Sequence, residues 1–330
     1  IGSTLIEMFV ALASGDPLVA GIGSTLIEMF GAERVRIHPA VSSVALARAR
    51  MGWSDATVEV IRLHGDDVDQ VRRWLFPGQR LIILSRDADS PVEIAAALES
   101  AGCGESELTV LGNLGSTAES LQSDPQGAPA LNVVCVEVRS GSAVSSLAPG
   151  LPDDAYEHDG QLTRRDLRAS ALAHLMPRPG ELLWDVGAGA GSIAIEWLRA
   201  SPRCRAIAIE RDHDRTKRIA ANARQLGVPG LRVVHGVAPA ALADLPRPDA
   251  VFVGGGATAD VLDSLWSALR PGGRLVVHAV TVETEMIITG AWQRLGGELT
   301  RIAVEHLERI GSYHGWKPSR AVVQWSAVKR

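Results

Sequence analysis

The stretch "LLWDVGAGAGSIAIE", residues 182–196, sets a short apolar run ahead of three closely spaced glycines and follows them with a run of helical spacing. A strand, a glycine bend and a helix in that order bring the free N–H groups of a helix N-terminus over a strand end, a setting that receives nucleotide cofactors. The glycines are Gly187, Gly189 and Gly191, and Ser192 comes next. The dinucleotide fingerprint GxGxxG would need its third glycine at position 192, where helix and strand pack closely. Asp185 stands two residues before the first glycine. A carboxylate there repels a pyrophosphate and favours an ammonium group. Glu210 ends the next strand-like run, "RAIAIE" (205–210), where a carboxylate accepts both hydroxyls of a ribose. That acid is shared by a dinucleotide and an S-adenosylmethionine reading alike, so features further along the chain decide between them.

The same alternation extends along the chain. Strand-like runs lie at 10–14, 80–85, 131–138, 181–187, 205–210, 231–236, 249–255 and 273–279. Helical spacing separates most of them, as in "PVEIAAALESAG" and "TKRIAANARQLGV". Alternation of this kind predicts an α/β chain with parallel sheets covered by helices on both faces. At 330 residues two domains are expected. Residues 139–155, "RSGSAVSSLAPGLPDDA", have a linker composition, so the expected division is 1–138, a linker at 139–155, and 156–330. "IGSTLIEMF" occurs at 1–9 and again, letter for letter, at 22–30. Two identical copies are not a repeat architecture, which takes three or more diverged units.

A formal net charge of −5 gives no general attraction to nucleic acid or anionic membrane. No apolar run approaches the ~18–20 residues of a membrane span, and no charged-then-apolar leader opens the chain. Cys103, Cys135 and Cys204 are odd in number and lack CxxC spacing, which argues against a disulfide frame or zinc site and for a reduced, cytoplasmic setting. The nine histidines fall at no metal-ligand spacing, and no metal is expected.

Downstream of the bend, "HGVAPAAL" (235–242) follows the third strand, where an adenine would lie, and "LRPGGRLVV" (269–277) reads as a helix end, a turn and a strand. Together with 182–210 these resemble the class I methyltransferases. The fourth strand ends in "VFVGGG" (251–256), without the Asn/Asp-Pro-Pro-aromatic motif with which many such enzymes grip nucleobase amines. Glycines there let a large flat substrate approach the backbone. Upstream, "HDGQLTRRDLRASALAHL" (158–175) is helical from Arg165, with Leu167, Ala171, Leu172 and Leu175 on one face. Thr163 is the expected N-cap, with Asp166 three residues on. This stretch resembles the opening of the decarboxylating corrin-ring methyltransferase domain of cobalamin biosynthesis, with Arg164 and Asp166 in place of Lys and Glu. The likeness continues through "AVTVETE" (279–285) to the chain end.

The first half resembles a different class, the two-lobed tetrapyrrole methylases, through "LASGDPLVAGIGSTL" (12–26), "HPAVSSVALARARMGW" (38–53) and "VLGNLGSTAES" (110–120). Ala40 replaces a usual glycine, and the strand and Gly-x-Gly-Pro-Gly loop that open that class are missing ahead of Gly15 and Asp16. The expected architecture is therefore a tetrapyrrole-methylase-like α/β domain lacking its first strand, followed by a class I Rossmann-like domain.

The two halves in this order resemble the fused decarboxylating corrin methyltransferases. The resemblance implies methyl transfer to C5 and C15 of a precorrin, a tetrapyrrole, with loss of CO2 from the C12 acetate. It implies S-adenosylmethionine as donor and a homo-oligomer without nucleic-acid or membrane partners. Metal-free and cobalt-containing macrocycles both fit, and a class I RNA or protein methyltransferase is the rival reading. The cofactor contacts it implies are Thr163, Asp185, Gly187, Ala188, Gly189, Ala190, Gly191, Glu210 and Ala238, with Val237 where relatives often carry an Asp. For the N-terminal site they are Gly15, Asp16, Ser42 and Ser43. A carboxylate-rich substrate calls for cations, and Arg164, Arg168 and Lys317 are the candidates, each equally readable as solvated surface. "GSYHGWKPSR" (311–320) is expected as a loop over the ring, with Tyr313 or His314 as acid or base, although a structural role is the commoner fate of a lone histidine.

Overall fold

The computed structural model describes residues 10–12, 15–19, 21–63, 67–139 and 146–330. The chain falls into two units, Ile1–Val68 with Trp74–Ser142, and Asp69–Arg73 with Ala143–Arg330.

The first unit contains α1 (Ile22–Phe30), α2 (Ser43–Met51), β1 (Val58–Arg62), β2 (Arg80–Leu84), α3 (Ser90–Ser100), β3 (Glu107–Gly112), β4 (Ser120–Gln122) and β5 (Asn132–Glu137). The strands form one sheet in the order β1-β2-β5-β3-β4. Only β1 and β2 pair in parallel, which departs from the expected parallel sheet. Helix α3 carries the chain past the neighbour of β2, and β5 fills the gap between β2 and β3, antiparallel to both. The loop from β3 to β4 is too short for a crossover, so that pair is antiparallel as well. Val44 and Ala47 of α2 pack on Ile82, Leu84, Leu111, Val133 and Cys135 of this sheet, with Trp53 at the edge.

Among the described residues ahead of β1 there are helices and no strand. Val10 and Leu12, expected within a strand at 10–14, lie exposed with no strand to pair with, and residues 13–14 are outside the described ones. The second copy of IGSTLIEMF is α1, and the first copy also lies outside the described residues.

The second unit holds α4 (Arg165–Leu175), β6 (Leu182–Val186), α5 (Ser192–Ala200), β7 (Arg205–Glu210), α6 (His213–Gln225), β8 (Arg232–His235), β9 (Ala250–Val253), α7 (Ala259–Ala268), β10 (Arg274–Ala279) and α8 (Val282–Leu295). It ends with β11 (Glu298–Ile302), a separate antiparallel hairpin β12 (Glu305–Ile310) and β13 (Tyr313–Pro318), and β14 (Val322–Val328). The main sheet runs β11-β14-β10-β9-β6-β7-β8. Strands β6 to β10 are parallel, and β14 is antiparallel to β10 and β11. Both faces are buried, which is why the parallel strands read as near-continuous apolar runs. Leu183, Ala206, Ala208, Phe252 and Val276 meet α4, α5 and α6 on one face. Trp184, Ile207, Val251, Val253 and Val277 meet α7 and α8 on the other. No helix among the described residues is long and apolar enough to cross a membrane.

Two details of α4 correct the sequence reading. Its N-cap is Arg164, in extended conformation and without a side-chain cap, so Thr163 lies one residue outside the helix. The Thr163 carbonyl instead accepts from Arg168 Nη1. Arg168, expected to meet substrate, is fully buried. Its Nε donates to Glu196 Oε1 and its Nη2 to the Leu151 carbonyl. Glu196 also accepts from Gly150 N (2.6 Å), Leu151 N (3.1 Å) and Tyr156 Oη (2.9 Å), so this ion pair clamps the 150–156 segment onto α4 and α5. Burial and the neighbouring Glu196 charge push the Tyr156 phenol well above its ordinary pKa. Replacing Arg168 with Leu strands the Glu196 carboxylate in the core. The expected loss is about 3–5 kcal/mol, read as a lowered urea midpoint.

Candidate functional site

Strand β6 lies between β7 and β9: the chain runs from it outward through β7 and β8 and then returns to its other side at β9, so the strand order reverses there. The crevice at such a switch point is where open α/β sheets bind ligands. A cleft of about 520 Å³ opens there, lined by 160–164, Leu167, 186–189, 209–211, Arg215, 236–238, 254–256, His278, Val280, Arg320 and Val322.

The bend after β6 leaves no room for a side chain at its glycines. Gly187 has φ +69°, and a Cβ there would sit 2.7 Å from the Gly255 carbonyl oxygen. Gly189 has φ +60°, and its Cβ would come within 2.6 Å of the Gln161 carbonyl oxygen. Both line the cleft with Ala188. Ala190 and Gly191, also expected at the cofactor, are not on the cleft wall. Ala190 is buried, with its carbonyl accepting from Asn222 Nδ2 (3.0 Å). Gly191 faces α6, where a Cβ would meet Ile219 Cγ2 at 2.8 Å. They seat the bend on its helices.

The two carboxylates singled out in the sequence separate by depth. Glu210 lines the cleft, its Oε2 accepting from Gly189 N (2.9 Å) and its Oε1 from Asp212 N (3.1 Å). Asp185 does not line the cleft. It lies beneath the bend, almost wholly buried, and its Oδ2 caps α5 by accepting from Ala194 N (3.1 Å). A helix N-terminus needs such an acceptor, which is what draws the carboxyl inward and away from any ligand ammonium. Oδ1 has no hydrogen-bond partner. Burial, and then the Glu210 charge, push the Asp185 carboxyl up to about 7.

Residues 157–163 form a strap beside the bend. Asp159 pairs with Arg215 (2.9 Å) and Arg218 (3.2 Å) of α6, and the Arg215 bond first of all holds its carboxyl at about 2. Asn222, buried on α6, accepts from Glu157 N (2.9 Å) and donates to the Glu157 carbonyl (2.9 Å). The sequence reading missed Asn222; its place in an otherwise apolar stripe of α6, beside Ile219 and Ala223, was the available signal. Thr163, Val237 and Ala238 line the cleft as expected positions do, Val237 and Ala238 following β8.

The cleft is further walled by Arg164, Leu167, His278, Val280, Arg320 and Val322. Tyr313, His314 and Lys317 are not among its lining residues. The 311–320 segment is mostly the second strand of a hairpin, not a loop, with Tyr313 77% exposed and Lys317 paired to Glu308 at 2.9 Å. Backbone pairing of β12 with β13 fixes these side chains on the hairpin.

In the first unit, Gly15 (φ +64°) abuts the Ser42 backbone, where a Cβ would be 3.4 Å from Ser42 Cα. Asp16 Oδ1 accepts from Leu18 N (2.9 Å), and Ser42 Oγ caps α2 by accepting from Ala45 N (3.1 Å). The Gly-Asp and Ser-Ser pairs are thus neighbours, with the side chains of Asp16 and Ser42 engaged in local turns.

Comparison with known proteins agrees with this geometry. Residues 154–329 match the family model described as "Precorrin methyltransferase domain", and residues 7–126 match "Tetrapyrrole (Corrin/Porphyrin) Methylases". A precorrin-6Y C(5,15)-methyltransferase [decarboxylating] of Sinorhizobium sp is 45% identical over 329 residues, 97% of this chain and 80% of the relative. The corresponding protein of Mycobacterium tuberculosis (strain CDC 1551 / Oshkosh) is 43% identical over 330 residues, 97% of this chain and 82% of the relative. The chain belongs to the decarboxylating precorrin methyltransferase family. A crystal structure of the C-terminal domain of precorrin-6Y C5,15-methyltransferase from Rhodobacter capsulatus superposes with a TM-score of 0.54 at 48% identity, covering 56% of this chain and all of that one.

Two outcomes follow for this family member's bend. Gly189→Ala, which adds a Cβ against a backbone carbonyl at positive φ, is expected to cost about 1–3 kcal/mol in denaturant unfolding. Because the Asp185 carboxyl is raised from 3.8 to about 7, its contribution to stability is complete below the ordinary carboxylate range and is lost as pH rises toward 7. Asp185→Asn should remove that slope, so that stability of wild type relative to the variant falls by up to the order of 4 kcal/mol between about pH 4 and 8.

Proposed function

We propose that this chain converts precorrin-6B to precorrin-8X, methylating C5 and C15 and removing CO2 from the C12 acetate, with S-adenosylmethionine as methyl donor. The observation that carries the reading is the make-up of the cleft: Glu210 and the glycine bend on the β6–β7 side, His278 and Arg320 on the β10–β14 side, and four arginines, Arg164, Arg211, Arg215 and Arg320, in its lining. The tight backbone of Gly187 and Gly189 suits a nucleoside lying flat on the bend, and Glu210 is placed to accept its ribose hydroxyls. Thr163 and Ala188 complete that side, with Val237 and Ala238 against the base through backbone and apolar contact.

When bound, S-adenosylmethionine supplies an electrophilic methyl on a sulfonium. The protein's own work is then positioning, holding a ring carbon in line with that methyl in a dry cleft. Gly254, Gly255 and Gly256 let a flat macrocycle approach the backbone after β9. Arg164 and Arg320 suit its peripheral carboxylates through charge-assisted hydrogen bonds. Arg168 and Lys317 are not included, being held by Glu196 and Glu308.

C15 methylation with decarboxylation is assigned to the C-terminal domain, 156–330, and C5 methylation to the N-terminal domain, 1–138, with 139–155 as linker; the matched segments 154–329 and 7–126 support that division. Gly15, Asp16, Ser42 and Ser43 would serve the N-terminal donor site. The names of the two long relatives, which carry no cobalt, favour a metal-free substrate. The reading includes a cytoplasmic location, in keeping with three free cysteines, and a homo-oligomer, in keeping with exposed Leu307, Ile310, Tyr313 and Trp316 on the β12–β13 hairpin.

Incubation of the protein with precorrin-6B and S-adenosylmethionine, followed by mass spectrometry, tests the reading. A product with two added methyls and one CO2 lost is expected. One methyl with CO2 loss would confine activity to the C-terminal domain, and an unmethylated substrate would overturn the reading. Glu210→Gln should weaken S-adenosylhomocysteine binding by calorimetry about tenfold, as expected for a lost charge-assisted bond worth about 1.5 kcal/mol.

A further inference from the structure

Decarboxylation of an acetate side chain consumes a proton. The bond between the methylene and carboxylate carbons breaks, CO2 leaves, and the electron pair spreads into the conjugated macrocycle. When the pair returns to the methylene carbon, that carbon takes one proton and becomes a methyl. The proton must come from a group that reaches the substrate.

We propose that His278 delivers this proton; the inference rests on the reading of the cleft as a precorrin site. The cleft offers little choice. Its ionisable lining residues, among the described ones, are Arg164, Glu210, Arg211, Arg215, Arg320 and His278. A guanidinium keeps its proton throughout the accessible pH range. Glu210 is committed to two backbone amides at the opposite end. His278 alone in this set changes protonation near neutrality.

Its setting is that of a directed group. His278 sits at the C-terminal end of β10, opposite Gln324 of β14, and is 6% exposed. Its Nε2 lies 2.9 Å from Gln324 Oε1. An amide oxygen only accepts, so Nε2 carries a proton and Nδ1 is the nitrogen that exchanges one. Nδ1 has no protein partner among the described residues. Gln324 is held in turn by α4, with Ser170 Oγ donating to its oxygen at 3.2 Å. Phe252 of β9 meets the imidazole edge-on, with ring centroids 5.0 Å apart.

The electrostatics follow the reaction. Burial lowers the His278 pKa, the Gln324 carbonyl opposes this, and His174 adds to the lowering. The groups facing the ring are thus His174 from α4, uncharged Phe252 and Gln324 from β9 and β14, and Arg164 and Arg320 sharing the cleft. The resting imidazole is neutral. A substrate carboxylate entering the cleft favours its protonation. When that carboxylate departs as CO2, the charge that held the proton departs with it, and the imidazolium becomes a stronger acid as the methylene carbon needs a proton. The imidazole is left neutral and recharges from solvent.

Single-turnover reactions of the full chain with precorrin-6B and S-adenosylmethionine, resolved by mass spectrometry into methyl gain and CO2 loss, test this. His278→Gln should slow CO2 loss by about 10²–10⁴-fold while methyl transfer stays within about tenfold, so that methylated, undecarboxylated material accumulates. Unchanged S-adenosylhomocysteine affinity would show that the fold is intact. CO2 loss at the wild-type rate, or CO2 loss and methyl transfer falling in equal proportion, would overturn the proposal. Gln324→Glu supplies a readout that packing alone would not move. A carboxylate beside Nε2 should carry the alkaline limit of CO2 loss to higher pH, and an unmoved limit would count against His278 as the acid. Failure of the wild type to gain any methyl would instead remove the proposed function, and this inference with it.

Discussion

The second unit is organised around three places where backbone meets its neighbours too closely for a side chain. Gly187 lies against Gly255, Gly189 against the Gln161 carbonyl, and Gly191 against Ile219 of α6. Each contact ties the bend after β6 to a different element: the loop after β9, the strap at 157–163, and the helix after β7. All three glycines also have positive φ. A methyl at any of them would force an element outward and open the cleft wall. The spacing that fits a ligand is therefore the same spacing that packs the unit.

Two carboxylates hold this bend and differ because of depth. Glu210 accepts from the Gly189 amide at the cleft surface, with its other oxygen on the Asp212 amide. Asp185, below the bend, gives one oxygen to the Ala194 amide and leaves the other without a partner, so burial sets its protonation. From sequence they look alike, both acids near the end of an apolar strand. Which of them touches a ligand depends on burial, and burial is a property of the assembled sheet.

This division recurs in what the sequence revealed. The parallel strands β6 to β10 were legible because burial on both faces writes a continuous apolar run. Strands β12 and β13 were not, since an exposed hairpin such as "EHLERI" carries no burial pattern. Strand direction in the first unit was hidden because alternation with helices does not say where β5 will insert. Spacing singled out Gly187, Gly189 and Glu210, which the structure places on the cleft wall. Arg168 was misjudged because a cation beside a binding motif looks the same whether it faces ligand or, as here, Glu196. His278 was one histidine among nine, without a motif, and gains meaning only from its neighbours.

Those neighbours depend on the one strand that breaks the parallel pattern. Because β14 runs antiparallel to β10, its beginning lies at the C-terminal end of β10, beside the cleft. Arg320 and Val322 reach the cleft for this reason, and Gln324 is thereby set against His278. A parallel strand in that position would bring its end there instead and leave its first residues at the far side of the sheet. The bend after β6 and Glu210 at the end of β7 lie on one side of the cleft, while the β10–β14 pair builds the opposite wall. The sheet thus separates the two sides of the cleft, and the antiparallel strand sets an imidazole, His278, held by Gln324, on the second.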